Sequence, residues 1–284
     1  MFKNCYHLCT TALKDKLLCY DEEDYIAIWN ALLICLAISG IRVYCLCLMS
    51  NHIHILLSGT PEQIAAFFAH FKQKAGRHLK GRYGKITAQQ LEYELFAIRD
   101  RKAFCQELAY ILRNPYKAHI ASPFSYKWSS AAAYFNPFLR KGTKISDLTL
   151  TDRRVLLKTR ATLPDSLRII DGAVAAASLV DVDFVERMFD HSSIQFFNTV
   201  KIWNLEDAVN LSHGQKVSDA YTDEEVFQGI SQMCQDIFQA GSVDALGEKD
   251  LVRMVRKLRS RFGCSKTQLL RLLPVDELLL DQAL

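Results

Sequence analysis

The chain has 284 residues, half of them hydrophobic, and a formal net charge of +4. Its longest apolar run, residues 31–38, is far shorter than the ~20 residues that cross a bilayer, and we expect no secretory signal. The nine cysteines are scattered and form no C-x-x-C pair. This favours free thiols in a reducing compartment over a disulfide framework or a zinc knuckle, so we predict a cytoplasmic protein with no membrane partner.

The first half alternates strand-like and helix-like segments. Alternating or β-branched apolar residues predict strands, and acidic starts followed by apolar residues at helical spacing predict helices. The last helix is expected to end at Asn114, because the residue before a proline tends to leave the α region. In chain order the expected elements are a strand at 2–10, a helix at 21–39, strands at 41–49 and 52–58, a helix at 61–83, a strand at 91–99 and a helix at 101–114. This order predicts an α+β fold with a ferredoxin-like antiparallel sheet, in a first domain of residues 1–138.

Residues 139–284 have a different pattern, and we expect an all-α region of several short helices there. Its last part, 249–284, contains a helix, a Gly263 break and a short helix, which resembles the start of a helix-turn-helix that could read duplex DNA. The third segment, 274–281, is acidic and apolar, which suits a groove-reading helix poorly. A small helical packing module is therefore an equal alternative.

The charge is unevenly distributed along the chain. Residues 1–142 contain 18 basic and 10 acidic residues, whereas residues 143–284 contain 17 and 21. Within the second half, residues 249–271 carry eight basic residues and one acid. Locally basic surfaces in a balanced chain favour nucleic acid as the partner, although ordinary solvated helix faces would give the same pattern. The candidate DNA-binding residues in these clusters are Lys72, Lys74, Arg77, Lys80, Arg82, Arg256, Lys257 and Lys266.

His52 and His54 lie either side of one isoleucine in a segment that otherwise has the pattern of a buried strand. Residues two apart on a strand point to the same face, so the two imidazoles are expected to lie side by side. Such a pair is a common beginning of a divalent-metal site. By itself it slightly favours two surface histidines on a half-exposed sheet, because a metal site needs more than two ligands.

Two further motifs follow the histidine pair. Tyr110 and Asn114 are four residues apart, so they share one face of the predicted helix. Further on, Trp128 lies among aromatic, small polar and basic residues, a composition that suits stacking of unpaired bases. The same composition would suit a domain edge that closes over its core.

Together, three motifs resemble one protein family. Asn51-His52-Ile53-His54, Tyr110-x-x-x-Asn114-Pro115-x-Lys117-Ala118 and Trp128-Ser129-Ser130 occur in the order and spacing of the single-tyrosine HUH transposases, with most similarity to the REP-associated tyrosine transposases. The opening Tyr6-His7 also resembles the first strand of that family. The resemblance covers residues 1 to about 138. One departure is His119, where the family often has glycine.

The resemblance implies a metal-dependent endonuclease and strand transferase that acts on single-stranded or hairpin DNA. It implies that His52, His54 and Asn114 bind Mg²⁺ or Mn²⁺, and that Tyr110 is the nucleophile. Arg113, Lys117 and Trp128 become further candidate DNA contacts. No Walker-type glycine-rich loop is present in the sequence, so no nucleotide cofactor is expected. A monomer or a homodimer is expected, in the bacterial cytosol or nucleoid.

Several alternatives stay open at this point. The general base that accepts the phenol proton is undecided between His78, His119 and a lysine. Two other kinds of protein compete with the enzyme: a non-catalytic hairpin DNA- or RNA-binding regulator on the same fold, and a structural helical protein with an incidental His-x-His. Loss of activity in Tyr110→Phe would separate the enzyme from a pure binder.

Overall fold

The computed structural model describes residues 2–10, 17–84, 87–118, 120–201, 223–262, 264 and 266–283. Its main sheet has four strands: β1 (Cys5–Thr10), β2 (Arg42–Leu48), β3 (Ile53–Ser58) and β4 (Tyr93–Ala97). The strands lie in the order β2-β3-β1-β4, and every neighbouring pair is antiparallel. This confirms the predicted antiparallel sheet with helices, and the strand order is that of a split βαβ unit.

Three long helices accompany this sheet: α1 (Glu22–Ala37), α2 (Pro61–Tyr83) and α3 (Arg101–Lys117). The ring of Phe68 on α2 packs 4.7 Å from that of Tyr93 on one face of the sheet. On the other face, His7 of β1 contacts Glu107 of α3. The sheet is therefore covered on both sides, with α2 opposite α3, and α1 packs against α2.

Helices α1 and α2 are joined by the completely buried carboxylate of Asp24. Four groups donate hydrogen bonds to it: the backbone N–H of Tyr20 at 3.0 Å, Nε2 of His78 at 2.7 Å, Nη1 of Arg82 at 2.8 Å and the hydroxyl of Tyr83 at 2.9 Å. Burial by itself raises the pKa of this carboxyl, but the hydrogen bonds outweigh it and hold the pKa below its ordinary value. Asp24 is thus a buried, ionised carboxylate that holds α1 and α2 together.

Residues 126–130 run along the free edge of β2. The backbone N–H of Leu48 donates to the carbonyl of Trp128 at 2.9 Å, and that of Ser130 donates to the carbonyl of Leu46 at 3.0 Å. The hydroxyl of Tyr126 donates to the carbonyl of Leu48 at 2.8 Å. This segment pairs the edge of β2 that would otherwise lack a partner strand.

The region after residue 138 is not wholly helical, which corrects the expectation of an all-α region. Strands β5 (Thr143–Lys144), β6 (Arg168–Ile170) and β7 (Ala173–Val174) form a small antiparallel sheet. Strands of two or three residues are too short to show a period of two, so the sequence pattern did not predict them. The helices of the region are α4 (Leu150–Leu157), α5 (Val182–Met188), α6 (Ser193–Lys201), α7 (Asp223–Asp236), α8 (Glu248–Phe262), α9 (Lys266–Leu272) and α10 (Glu277–Ala283).

The described residues form two hydrophobic cores. The first includes the main sheet, α1 to α3 and apolar residues of 143–200. Helix α1 is tied to the small sheet, since Nε1 of Trp29 donates to the carbonyl of Val174 at 2.8 Å, and the N–H of Val174 donates to Asn30 at 2.8 Å. The second core joins α7 to α10 with Leu17 and Tyr20. Within the described residues, no helix is both long and apolar enough to cross a membrane.

Candidate metal centre and nucleophile

The two histidines of the His-x-His motif lie together at the start of β3. Their ring centroids are 4.9 Å apart and their planes are nearly perpendicular. His52 precedes the first strand residue, Ile53, and only His54 belongs to the ladder, opposite Cys9 of β1. His54 is buried, with 3% of its surface exposed, because α3 covers this face of the sheet. It is therefore not a surface histidine of a half-exposed sheet.

Helix α3 continues through Pro115 to Lys117, so the predicted end at Asn114 was wrong. A proline has no N–H to donate, which leaves the carbonyl four residues earlier without its helical partner. Here that carbonyl belongs to Ile111, and the side-chain nitrogen Nδ2 of Asn114 lies 3.4 Å from it. The same nitrogen donates to the carbonyl of Tyr110 at 3.0 Å. The side chain of Asn114 thus replaces the backbone donor that Pro115 lacks, and the helix continues to Lys117.

This use of Nδ2 leaves the other atom of the amide, Oδ1, to the histidines. The side chain of Asn114 lies beside both His52 and His54. Burial lowers the pKa of the His52 imidazole to about 4, against the effect of Asn114, which raises it. Burial, followed by the neighbouring His52 and His7, also lowers the pKa of His54 below its ordinary value. Both rings are therefore neutral at pH 7, as a metal ligand must be.

A chain of hydrogen bonds holds the His54 ring from behind. Nδ1 of His7 lies 2.9 Å from a carboxylate oxygen of Glu107, and Nε2 of His7 lies 3.0 Å from Nδ1 of His54. With a neutral His7, the ring donates to Glu107 and accepts from His54. Carboxylate–histidine contacts of this kind fix the tautomer and orientation of metal-binding histidines.

The roles of His7 and Glu107 were not predicted from the sequence. The family-like Tyr6-His7 pair was a signal for His7, and Glu107 lies three residues before Tyr110, on the same side of α3. Neither signal shows that these residues meet, because their contact depends on how β1 and α3 pack. Only the tertiary structure brings them behind His54.

A divalent cation at His52, His54 and Asn114 would bind the side-chain atoms that their other hydrogen bonds do not use. Nδ1 of His52 donates to Oδ1 of Asn51 at 2.7 Å, which leaves its Nε2. The contact of His54 with His7 likewise leaves Nε2, and Asn114 has Oδ1. Each side chain thus offers one lone pair at the place where the three meet. Two imidazoles and one amide oxygen are a donor set that fits Mn²⁺ and tolerates Mg²⁺.

A second group that could hold a metal ion shares one of these histidines. The ligand atoms of His7, Cys9 and His54 all lie within 4.8 Å of one another. Cys9 and His54 are direct partners across the β1–β3 ladder, and His7 points to the same face as Cys9. His54 therefore lies between two sets of donors, one on each side of its ring.

Tyr110 lies beside this centre, one helical turn before Asn114. Its ring centroid is 5.8 Å from that of His54 and 5.9 Å from that of His7. The ammonium group of Lys117 lies 4.1 Å from the centroid of the Tyr110 ring. The tyrosine is half-buried, so part of its side chain faces solvent. A phenol, a cation and three metal-type donors are thereby assembled at one place.

Two of the predicted DNA contacts are buried instead, which corrects their expected role. Arg113 is 6% exposed, and its Nε donates to the carbonyl of Ala109 at 3.2 Å. Trp128 is 7% exposed and stacks on Tyr25, with centroids 5.3 Å apart and planes 12° apart. Lys127 lies over the same indole at 4.8 Å. Trp128 is thus part of the closed edge of the core, the second of the two interpretations that its composition allowed.

The predicted basic residues of α2 lie on the sheet face opposite Tyr110. Nζ of Lys72 donates to the carbonyl of Leu91 at 2.7 Å, and Nζ of Lys74 donates to that of Lys158 at 3.2 Å. The guanidinium of Arg82 is held by Asp24 and, through two hydrogen bonds of 2.8 and 2.9 Å, by Asp21. Arg77 and Lys80 are exposed.

The predicted C-terminal basic residues lie on helices α8 and α9. Helix α8 packs against α7 and α10, and α9 follows it after a short break. Lys257 is exposed, whereas Lys266 pairs with Asp281 at 2.7 Å and Nε of Arg256 donates to the carbonyl of Ala283 at 3.2 Å. A role of these residues in DNA binding stays a prediction.

Of the two histidines considered as general base, His78 hydrogen-bonds Asp24 in the α1–α2 layer, on the opposite side of the sheet from Tyr110. His119 lies outside the described residues.

Comparisons with known proteins give little beyond this geometry. No protein-family model and no curated protein matches the chain. A solved structure, described as the REP-associated tyrosine transposase bound to a REP hairpin, matches with 13% sequence identity and a TM-score of 0.35, over 46% of this chain and 78% of that one. A similarity at this TM-score carries no argument, so the function has to be inferred from the site itself.

Proposed function

We propose that this protein is a metal-dependent single-stranded DNA endonuclease and strand transferase, acting at hairpin or palindromic DNA through a phosphotyrosine intermediate on Tyr110. The observation that carries the proposal is the meeting of His52, His54 and Asn114 one helical turn from this tyrosine. On this proposal residues 1–138 form an HUH-type catalytic palm on the ferredoxin-like sheet. The segment 249–284 would read flanking duplex as a helix-turn-helix, with a small helical packing module as the alternative.

His52, His54 and Asn114 would hold Mg²⁺ or Mn²⁺, through one nitrogen from each imidazole and the amide oxygen. Such an ion supplies a Lewis acid and a template for the phosphate that reacts. The chain's own contribution is orientation. Glu107 and His7 hold the ring of His54, and the hydrogen bond from Asn114 to the Tyr110 carbonyl ties the amide to the backbone of the nucleophile.

The chemistry assigned to Tyr110 is a transesterification. Its phenol oxygen attacks the scissile phosphorus and loses its proton, and the bond from phosphorus to the 3′ oxygen breaks. One DNA end leaves as a 3′ hydroxyl, and the other stays joined to Tyr110 through its 5′ phosphate. Attack of a second 3′ hydroxyl on this ester reverses the step and joins new ends. The ester conserves the bond energy, so the reaction needs no nucleotide cofactor.

Charge around the site supports a polyanionic partner. The ammonium of Lys117, 4.1 Å from the Tyr110 ring, would stabilise negative charge on the phenol oxygen and contact the DNA backbone. Lys257 is an exposed cation of the C-terminal region that would add a further contact along a hairpin. Arg77 and Lys80 are exposed on the opposite side of the sheet and would contact only DNA that passes around it. We propose single-stranded or hairpin DNA as the partner, a monomeric or homodimeric protein, and the bacterial cytosol as its location.

Covalent trapping tests the proposal. Purified protein is incubated with a library of labelled single-stranded hairpin DNAs, with Mn²⁺ or with EDTA, and separated on a denaturing gel. We expect a metal-dependent shifted band that is absent in Tyr110→Phe and retained in Tyr116→Phe. Tyr116 is a matched control because it lies on the same helix and is 44% exposed.

Two results would overturn the proposal. An adduct that persists in Tyr110→Phe would assign the nucleophile to another residue. Hairpin binding without any adduct across the library would indicate a non-catalytic hairpin-binding protein.

A further inference from the structure

We propose that His7, Cys9 and His54 form a second metal site, specific for a thiophilic divalent cation such as Zn²⁺, and that this site and the His52–His54–Asn114 site exclude each other. The three side chains come from the neighbouring strands β1 and β3 and share the face under α3. The second site itself is independent of the proposed function. The exclusion, by contrast, rests on the proposed function, because both sites use His54.

The His7 ring is already oriented for this role. Its Nδ1 is 2.9 Å from Glu107, which assigns the proton to that nitrogen and turns the lone pair of Nε2 toward His54. A carboxylate on the far nitrogen of a histidine is the usual outer partner of a zinc-binding imidazole. Glu107 thus does for this site what second-layer carboxylates do in zinc proteins.

The distances fit a tetrahedral ion. Zinc binds sulfur at about 2.3 Å and nitrogen at about 2.0–2.1 Å, which places its ligand atoms roughly 3.3–3.7 Å apart. The two imidazole nitrogens are 3.0 Å apart, and all three ligand atoms are within 4.8 Å. Small side-chain rotations bring them to the required spacing, and water completes the fourth position.

The sulfur decides which metal this site takes. Thiolate favours Zn²⁺ over Mg²⁺ and Mn²⁺, which prefer oxygen. A cysteine thiol without a metal is mostly protonated at neutral pH. Binding of Zn²⁺ therefore releases this proton to solvent, and no oxidation or reduction takes place.

The exclusion follows from the single proton on the neutral His54 ring. The contact of His7 with Glu107 assigns this proton to Nδ1, where it bonds His7, and leaves Nε2 for the site with Asn114. A metal on Nδ1 moves the proton, through water, to Nε2. That nitrogen then donates to Asn114 and no longer has a lone pair for a second cation. Filling both sites at once would require the ring to lose its remaining proton as well, so a neutral His54 serves one site at a time.

Cobalt substitution tests the second site without any DNA. The full-length reduced protein is titrated with Co²⁺, a spectroscopic replacement for Zn²⁺. We expect a thiolate-to-cobalt charge-transfer absorption that saturates at one equivalent and disappears on addition of Zn²⁺. The band should be lost in Cys9→Ser and in Cys9→Ala and retained in Cys105→Ser, the matched control, since Cys105 is half-buried on α3 and contacts Met188. A band that survives both Cys9 variants, or no band in the wild type, overturns the proposal.

Electron paramagnetic resonance of Mn²⁺ tests the exclusion. Bound Mn²⁺ loses the sharp signal of the free ion, so release can be followed directly. We expect one equivalent of Zn²⁺ to release Mn²⁺ from the wild type and Cys9→Ser to need at least about tenfold more. Simultaneous binding of both metals in the wild type would overturn the exclusion. If Mn²⁺ does not bind at all while the Cys9-dependent cobalt band is present, the proposed function loses its metal site and the thiophilic site stands.

Discussion

Asn114 donates its side-chain N–H to the carbonyl of Tyr110, one turn earlier in α3, at 3.0 Å. This contact makes the orientation of a metal-type ligand depend on the backbone of the nucleophile. It also explains why an asparagine precedes the proline, since the same amide reaches the Ile111 carbonyl that Pro115 leaves unpaired.

The first prediction concerns this amide. Asn114→Ala should lower the Mn²⁺ affinity at least about tenfold, because it removes one of three donors. It should also cost about 1–3 kcal/mol of stability, because buried carbonyls lose their donor. Calorimetric Mn²⁺ titration and urea unfolding measure the two effects. Asn136→Ala is the matched control, since Asn136 also bonds the carbonyl four residues earlier, at 2.8 Å, but at the surface; an equal loss of Mn²⁺ affinity there would contradict the assignment.

A second prediction concerns Glu107. Glu107→Ala should weaken Mn²⁺ binding by about 10–100-fold although the carboxylate is not itself a ligand, because the rings of His7 and His54 lose their orientation. Glu107→Gln should recover part of the affinity, since its amide oxygen can still accept from His7. The control is Glu94→Ala, an exposed carboxylate on β4. Unchanged affinity in Glu107→Ala would show that the hydrogen-bond chain does not support the site.

A third prediction concerns the buried charge of Asp24. Asp24→Asn should destabilise the protein by about 3 kcal/mol at pH 7, because Arg82 loses its buried counter-charge. The folded-state pKa is lowered, so the stabilisation is present above the ordinary carboxyl pKa of about 4 and is lost as the pH falls through the lower folded value.

Urea unfolding of the wild type and the variant between pH 7 and pH 2 measures this difference, which should shrink only below about pH 4. Asp171→Asn is the control. Asp171 also makes two hydrogen bonds to an arginine, Arg140, but the pair is exposed and should contribute less than about 1 kcal/mol. A difference that is constant over the whole pH range would contradict a charged Asp24.

The fourth prediction separates packing from DNA binding at Trp128. Trp128→Ala should cost about 3–5 kcal/mol, as for a large buried aromatic. At a temperature where the variant is folded, its hairpin affinity should be within twofold of the wild type. Phe138→Ala, at an 89% exposed aromatic, should change stability by less than about 0.5 kcal/mol. A folded, fully stable Trp128→Ala that no longer binds DNA would restore the base-stacking role.

A fifth prediction uses salt to examine the exposed cations. If Lys80 and Lys257 each neutralise a phosphate, replacing either by Gln should reduce the slope of log affinity against log salt by roughly 0.7–0.9. Lys80→Arg keeps the charge and should keep the slope. Fluorescence anisotropy with a labelled hairpin at several salt concentrations measures it. A slope that does not change in either Gln variant would remove these residues from the DNA contact.

Periodicity predicted the elements of the first half well, because each strand and helix there is long enough to show its period. The end of α3 was misplaced because the rule for residues before proline takes no account of a side chain that replaces the missing donor, as Asn114 does. The strands β5 to β7 are too short for any pattern. The packing of 143–200 on α1 depends on distant contacts, such as that of Trp29 with Val174, that no local signal reveals.

For the site, spacing alone brought His52 together with His54, and Tyr110 together with Asn114. It did not show that the two pairs meet, nor that His7 and Glu107 lie behind them, since these contacts arise from strand order and from the packing of α3. Burial was also beyond the local pattern. Arg113 and Trp128 have the residue types of DNA contacts, yet both are inside the protein.

The bonds from α1 to the small sheet have a consequence for the order in which the molecule can be built. Trp29 and Asn30 hydrogen-bond residues 172–174, more than 140 positions later. During synthesis, the β-α-β-β-α-β unit emerges well before the segment that covers one side of its first helix. A nascent chain that stops near residue 138 would leave the indole of Trp29 without its carbonyl acceptor and apolar surface of α1 in water. We therefore expect the first core to close late in translation.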